Sequence, residues 1–176
     1  MRTKIFLFVS LGVLLVVAAL CFRYMRMHSF SAREKPMAIE AFLARHARSL
    51  ALPPGVRGLK NPVEVNPLVL AEARDHFADH CATCHGNKGD GKTMINEGLY
   101  PPAPDMRELE TQNLSDGEIF YIIKNGVRFT GMPGWGGEDM ENWKLVAFIR
   151  HLPKLSDKEL SLMKEINDTE ASHEGH

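Results

Sequence analysis

The feature of the sequence that most constrains the fold is a cluster of two cysteines and a histidine, Cys81-Ala-Thr-Cys84-His85. The third cysteine, Cys21, lies far upstream, so no second cysteine pair is present to complete a four-ligand zinc site. A thioredoxin-type redox pair is expected within a βαβ pattern, and no stretch of this chain alternates as a strand does. The cluster therefore requires a third chemistry.

A C-x-x-C-H motif is also the signature of covalent haem attachment, in which the cysteines form thioethers and the histidine lies beneath the iron. The segment from Asn87 to Leu114, rich in glycine and proline, agrees with this interpretation. More than about 20 residues without periodicity are unusual in a compact domain unless they enclose something large. The sequence predicts one covalent haem c on Cys81 and Cys84, with His85 as an axial ligand of the iron.

Helical periodicity surrounds the motif. In residues 67–81, Leu70, Ala73, Phe77 and Cys81 fall three or four apart, which predicts a helix that delivers Cys81 at its end. No β-strand alternation of any length and no internal repeat is visible. We therefore predict an all-α domain.

Two further core helices are predicted downstream. Ser115 and Glu118 have the spacing of a capping box before an apolar stretch that stops at Gly126. The last core helix is expected over residues 138–152, because Pro153 cannot continue it.

The C-terminal region is predicted to add a short helix, since Ser156 and Glu159 repeat the capping-box spacing. From Thr169 the chain is polar, and we expect a frayed tail. Its last residues, His173 to His176, read HEGH and are a weak candidate for binding copper or another metal ion. Two histidines on a chain end more often have no such role.

Near the N-terminus, residues 5–22 contain no charge. As a helix they would span about 27 Å, close to a hydrocarbon core of roughly 30 Å. Arg2 and Lys4 precede them, as in a signal peptide or an uncleaved anchor. No convincing small-x-small cleavage site follows, and Leu20 stands where a small residue precedes a lipidated cysteine. We interpret the stretch as an uncleaved anchor, with Cys21 as an inert apolar residue.

The charge is divided sharply along the chain. Residues 1–60 carry 10 Lys/Arg and 2 Asp/Glu, whereas residues 61–176 carry 11 Lys/Arg and 20 Asp/Glu. The basic part suits an anionic lipid surface, and the acidic part argues against nucleic acid as a partner. The acidic part also predicts a basic docking patch on at least one protein partner.

A second helix is predicted between the anchor and the motif, where apolar residues recur at helical spacing: Ile39, Phe42, Leu43, Ala47 and Leu50. Arg45 and Arg48 lie off this stripe, and residues 53–55 break the helix. The helix is either a linker resting against the soluble domain or an amphipathic helix on the membrane surface, held by its arginines. The sequence leaves both interpretations open.

The chain resembles the class I c-type cytochromes, particularly small bacterial ones, over about residues 66 to 153. The resemblance rests on five motifs in the family's order: CATCHGNKGDG, YPPAPDM, LSDGEIFYIIKNGV, GMPGW and NWKLVAFIRHL. It implies that the helices around Phe77 and residues 143–148 pack together with the haem against them. The anchor and residues 31–60 lie outside it, but they look like the membrane-tethered variants of the family.

Met132 is the predicted sixth ligand of the iron. A methionine opposite the histidine raises the reduction potential and closes the iron to small ligands. Met132 is flanked by Gly131 and Pro133, whose small or rigid backbones let a loop approach a flat ring. The family places its ligand in such a G-M-P loop, so the resemblance implies axial ligation by His85 and Met132.

Other ligands remain candidates. Among the nine methionines, Met106 follows the proline-rich segment, Met94 lies near the motif, and Met140 falls in the first turn of the last core helix. Ligation by two histidines is the commonest rival, with four candidates in principle: His46, His76, His80 and His151.

Further haem contacts are assigned more loosely. Tyr100, Arg128 and Trp135 are candidates for touching the haem propionates, and Arg128 would compensate their negative charge. His85 is expected to donate its other ring N–H to a backbone carbonyl, and residues 101–104, which include Pro102 as a candidate haem contact, supply stiff backbone for this as in the family. The alternative for that segment is a rigid loop with no such role.

The function predicted from these features is one-electron transfer between redox partners by a membrane-tethered, single-haem cytochrome c, without catalysis of its own. The resemblance implies haem attachment outside the cytoplasmic membrane, hence a single-pass protein whose haem domain is periplasmic or extracytoplasmic. The expected segments are a cytoplasmic N-terminus (1–4), a transmembrane anchor (5–22), a linker with an amphipathic helix (23–65), the haem domain (66–153) and a short helix with a polar tail (154–176).

Two other functions stay open. The chain is alternatively a cytochrome subunit fixed in a larger oxidase or dehydrogenase complex, with which it would co-purify. A haem sensor or peroxidase-like protein would need a labile sixth ligand, and the sequence offers Met132 but no obvious distal acid–base pair.

Overall fold

The structure, a computed structural model, describes residues 2–28 and 31–173, and for residues 169–173 it describes the helical backbone alone. The chain divides into two units, Met1–Glu34 and Lys35–His176. All regular elements among the described residues are helical, which confirms the all-α prediction.

The first unit contains one long helix, α1, Arg2–His28. It extends beyond the predicted anchor of residues 5–22 at both ends, and none of its described residues is buried. By length and composition α1 is long and apolar enough to cross a membrane.

The described part of the second unit contains seven α-helices and four short turns of tighter or wider helix. The α-helices are α2 (Ala38–Leu50), α3 (Pro67–His76), α4 (Ala82–His85), α5 (Leu109–Gln112), α6 (Asp116–Asn125), α7 (Asp139–His151) and α8 (Asp157–His173). A π-helical turn, Phe77–Cys81, joins α3 to α4, and 3₁₀ turns cover Val56–Gly58, Asn96–Gly98 and Leu152–Lys154.

The core lies where α3, the π turn, α6 and α7 meet. The rings of Phe77 and Phe148 are 5.2 Å apart, so the helices that were expected to pack against each other do so. Phe120 of α6 stacks on Trp143 of α7 with 4.2 Å between ring centroids. Phe77 and Phe148 are fully buried, and burying such a side chain stabilises the fold by roughly 1.5–3 kcal/mol.

The predicted helix start at Ser115 is confirmed. The Ser115 hydroxyl accepts a hydrogen bond from the Glu118 N–H at 3.2 Å, and the Glu118 carboxylate accepts one from the Ser115 N–H at 2.9 Å. This reciprocal pair satisfies two N–H groups that the first turn of a helix leaves without partners. The helix ends at Asn125, directly before Gly126 as expected, and the φ of 69° at Gly126 is unfavourable for residues with a Cβ.

The irregular segment between Asn87 and Leu114 is organised by two polar side chains, the buried Asn96 and the half-buried Gln112. Asn96 donates to the carbonyls of Gly91 and Ala103 and accepts from the Ala103 N–H, which clamps a loop that has no regular ladder. Gln112 donates to the carbonyls of Met106 and Ile149 at 2.7 and 3.0 Å and so ties the segment to α7. These contacts satisfy backbone groups that a buried loop otherwise leaves unpaired.

Helix α2 rests against the rest of the second unit, as in the first of the two interpretations of this helix. The contact is made by its polar side: Arg45 pairs with Glu110 at 3.3 Å, and Glu40 accepts a hydrogen bond from the Tyr100 hydroxyl at 2.6 Å. The apolar stripe makes no such contact, since all five of its members are exposed: Ile39, Phe42, Leu43, Ala47 and Leu50. Arg45, one of the two arginines considered for holding a lipid surface, is thus paired with Glu110.

The last helix, α8, is longer than the predicted short helix and continues to His173. It begins with the expected capping box, in which the Ser156 N–H donates to the Glu159 carboxylate and the Glu159 N–H donates to the Ser156 hydroxyl. Met163 is fully buried, and Asn167 donates to the carbonyl of Ala78 in the π turn at 2.8 Å. The proposed metal-binding tail lies outside the described residues, apart from the backbone of His173.

Candidate haem site

The Cys-x-x-Cys-His motif lies where the helical path changes pitch. α3 ends at His76, the π turn carries Phe77 to Cys81, and α4 carries Cys84 and His85. The helix was expected to deliver Cys81 at its end, and the backbone instead continues helically through the whole motif. Wide π turns inside helices occur frequently at functional sites.

The loop after the motif folds back onto it. The carbonyl of His85 accepts the Gly91 N–H at 2.8 Å, and the Cys84 carbonyl accepts the Thr93 hydroxyl at 3.3 Å. The glycine-rich sequence thus holds the end of α4 in place through backbone contacts.

The predicted attachment residues and the predicted sixth ligand line the same cleft. Cys81, Cys84 and His85 line one part of it, and Met132 lines it from the loop between α6 and α7. Most of the other lining side chains are apolar, including Leu99, Ile119, Ile122, Ile123, Leu145 and Ile149. The cleft therefore combines an apolar wall with few polar groups, as cofactor sites do.

The Met132 loop is held against the end of α6. The Met132 carbonyl accepts the Val127 N–H at 3.1 Å, and its N–H donates to the Thr130 hydroxyl at 3.1 Å. The loop approaches residue 126 so closely that only glycine fits there, because a Cβ would lie 2.5 Å from the Gly134 nitrogen. Met132 is half-buried, so its thioether is positioned by backbone contacts and not by deep burial.

His85 is half-buried, and burial lowers the pKa of its imidazole below the ordinary value, so the neutral ring dominates at pH 7. Its Nδ1 is buried and has no hydrogen-bond partner among the described residues. The expected hydrogen bond to the carbonyls of residues 101–104 is therefore not present, although these four residues line the same cleft.

Cys81 has a thiol whose pKa is raised to about 12 by burial and, to a smaller extent, by the nearby Cys84 and Asp79. Cys81 and Cys84 are not joined by a disulfide. The described residues contain no group of three or more His, Cys, Asp or Glu side chains placed to hold a metal ion.

The four further residues predicted to contact the haem divide into two groups. Pro102 and Trp135 line the cleft, whereas Tyr100 and Arg128 do not. The Tyr100 hydroxyl donates a hydrogen bond to Glu40 of α2, and Arg128 is exposed. Contact of Tyr100 and Arg128 with the haem propionates stays a prediction without support from the lining of this cleft.

The alternative candidates for the iron's sixth ligand differ in whether they line the cleft. Met106 lines the cleft and is buried in the core, while Met94 and Met140 are exposed and outside its lining. Among the candidate histidines only His80 lines the cleft, beside Cys81 on the attachment side. His151 accepts or donates a hydrogen bond at 2.8 Å with Glu159 instead.

The comparison with known families agrees with the geometry. Residues 69–149 match the family model described as cytochrome c oxidase, cbb3-type, subunit III. Residues 69–149 form a class I c-type cytochrome domain. No curated protein matches the chain. The cytochrome domain binds covalent haem c with its iron and functions in electron transfer.

The residues of the cleft fit this group. Two thiols, a neutral imidazole with a buried nitrogen that lacks a partner, and an apolar wall meet in one place. The buried Nδ1 of His85 costs about 1–3 kcal/mol as long as it lacks a partner. Sequence reasoning did not anticipate two other lining residues, Arg48 and Glu110, because no motif places them near the cytochrome domain's cysteines.

Proposed function

We propose that this chain is a membrane-tethered, single-haem cytochrome c that carries one electron at a time between redox partners. In this proposal Cys81 and Cys84 hold the haem covalently, and His85 and Met132 are its axial ligands. The observation that supports it is the lining of one cleft by all four side chains. When bound, the haem supplies a one-electron Fe(III)/Fe(II) couple.

The protein's part in this function is to hold and shield the group. The backbone contacts of the Met132 loop keep the thioether in a defined place, which favours a permanently filled sixth position. The apolar wall keeps water away and so influences the reduction potential. Donor and acceptor then exchange the electron with the domain without any bond being made to a substrate.

The membrane tether is proposed from α1, which has the length and composition of a span. The haem domain would lie on the extracytoplasmic side, where c-type cytochrome domains usually occur. The exposed apolar side of α2 is a second feature consistent with nearby lipid. Protease added outside sealed spheroplasts should digest the domain; digestion only after lysis would contradict this orientation.

The ligand assignment is tested by absorption spectra of the full chain carrying Met132→Leu, with Met106→Leu as the matched control. Both methionines line the cleft, and Met→Leu nearly conserves volume, so folding is little affected. We expect a covalent low-spin spectrum whose weak red Met-to-iron band disappears only in Met132→Leu. Loss of the band only in Met106→Leu would reassign the ligand, and no change in either would exclude both.

A second candidate function is a fixed subunit of a larger oxidase, which the name of the matching family model favours. Detergent extraction from native membranes separates the two proposals. A mobile tethered carrier should purify alone, and a fixed subunit should purify in constant proportion with other chains.

Partner recognition is proposed to be weak and steered by charge, because residues 61–176 carry 20 Asp/Glu and 11 Lys/Arg. Electron transfer from the native donor or to the native acceptor should therefore slow with increasing ionic strength. Rates that do not depend on salt with either partner would contradict the acidic docking surface.

A further inference from the structure

The wall of the cleft contains one cationic side chain of the Lys/Arg type among the described residues, Arg48. It belongs to α2, about 20 residues before the first residue of the family match at 69. The other charged lining residue is Glu110, which is paired with Arg45. The cleft therefore receives its cation from a helix outside the cytochrome domain.

Several contacts fix α2 at this edge of the cleft. Glu40 accepts from the Tyr100 hydroxyl, and Arg45 pairs with Glu110, sixty-five residues away in sequence. At the C-terminal end of α2, Arg57 donates to the Ser49 carbonyl at 2.7 Å. The polar side of α2 is thus built into the second unit.

Arg48 differs from the arginines around it. Arg45 and Arg57 form ion pairs with Glu110 and Glu118, whereas the Arg48 guanidinium has no ion pair or hydrogen bond with a described residue. It is half-buried on the cleft wall. An arginine at an apolar wall is normally satisfied by an anion or by water.

We propose that Arg48 binds a propionate carboxylate of the covalent haem, and that α2 is therefore part of the haem site. The inference rests on the proposed function, because it requires the haem to occupy this cleft. Haem c carries two propionate carboxylates at its edge, and an apolar wall stabilises a carboxylate only when a donor accompanies it. The planar guanidinium matches a carboxylate with two parallel hydrogen bonds.

The proposal replaces Arg128 with Arg48 as the partner of the propionates. Arg128 is exposed and does not line the cleft, whereas Arg48 does. The alternative for Arg48 is a solvated surface arginine with no role at the haem. The two interpretations of Arg48 predict different reduction potentials of the haem when the charge of Arg48 is removed.

A positive charge beside the haem favours the reduced state, which carries one more electron. The test is a spectroelectrochemical titration of the full chain in detergent, as wild type, Arg48→Gln and Lys60→Gln. Lys60 is the matched control because it is exposed, lies outside the cleft lining and loses the same charge. We expect covalent haem in all three proteins and a lower midpoint potential in Arg48→Gln alone.

A second readout covers the case in which Arg48→Gln does not accumulate. In Arg48→Lys the charge stays but the planar fork is lost, so the potential should remain near that of wild type. The resonance Raman propionate bending band, which reports hydrogen bonding to the haem carboxylates, should shift in Arg48→Lys and not in Lys60→Gln. An unshifted band in Arg48→Lys, or equal potentials in the Gln variants, would overturn the proposal.

These outcomes are separate from failure of the proposed function. If the wild-type chain holds no covalent haem, the function itself is wrong. If it holds haem and Arg48 variants leave both readouts unchanged, the function stands and the role of Arg48 falls.

Discussion

Replacement of Gly117 by alanine tests how the segment before the cytochrome domain packs on it. Gly117 is buried in the first turn of α6, and a Cβ there would lie 1.8 Å from the Val56 carbonyl oxygen and 2.9 Å from the Leu59 Cβ. Ordinary contacts of a Cβ begin at about 3.4 Å, so the backbone at Val56 has to move by more than about 1 Å.

Two effects of the substitution oppose each other. Alanine improves helix propensity over glycine by about 1 kcal/mol. Forcing extra volume into a packed contact costs typically about 1–3 kcal/mol, and the upper end applies here because the obstacle is backbone and not a flexible side chain. We expect Gly117→Ala to lower the free energy of unfolding by about 2 kcal/mol, or the melting temperature by roughly 4–8 °C.

The assay is thermal and urea unfolding of the haem-loaded full chain in detergent, followed by far-UV circular dichroism. Gly58→Ala is the matched control, because a Cβ there meets no heavy atom within 4 Å and the residue has no positive φ. Its effect should stay within about 0.5 kcal/mol of wild type. A Gly117→Ala protein as stable as wild type would refute the packing of Val56–Gly58 on α6.

The remaining predictions concern two polar clusters. Arg150 donates to the carbonyls of Gln112 and Leu114 and to Asp116; Arg150→Gln should lower the free energy of unfolding by about 2 kcal/mol in urea titrations, and an unchanged midpoint would contradict the bracing role. The pKa of Glu118 is held below its ordinary 4.5. Burial alone would raise this pKa, but the hydrogen bonds from Ser115 and Arg57 outweigh burial and lower it. The stability this carboxylate contributes is therefore present above about pH 4.5 and lost as the pH falls through its lower folded pKa, so Glu118→Gln should flatten the acid limb of the stability curve, and an unchanged acid limb would exclude the contribution.

The local elements of the fold were readable from the sequence because their signals are short-range. The capping boxes at Ser115 and Ser156 need only residues three apart, and both form as expected. The Cys-x-x-Cys-His cluster likewise limits the chemistry through five consecutive residues. For the same reason the family resemblance could be stated before any contact was known, and the family match at residues 69–149 confirms it.

The path of the irregular segment was not readable. Asn96 clamps Gly91 and Ala103, and Gln112 reaches α7 at Ile149, thirty-seven residues away. The sequence predicted that this segment must enclose something large, and it gave no indication of which polar side chains would order it. A single asparagine in a loop is far more often solvated, so only the fold distinguishes this one.

The orientation of α2 shows most clearly what the sequence determines and what only the tertiary structure decides. Periodicity alone determined that residues 38–50 form an amphipathic helix, because the apolar side chains repeat with the helical period. Tertiary structure decided that the polar side, not the apolar side, rests on the rest of the unit, through ion pairs such as Arg45–Glu110 between residues far apart in the chain. Pattern within one helix fixes which side chains share a face, but the partner of each face depends on charges and shapes contributed by distant segments. That choice is what places Arg48 on the wall of the cleft.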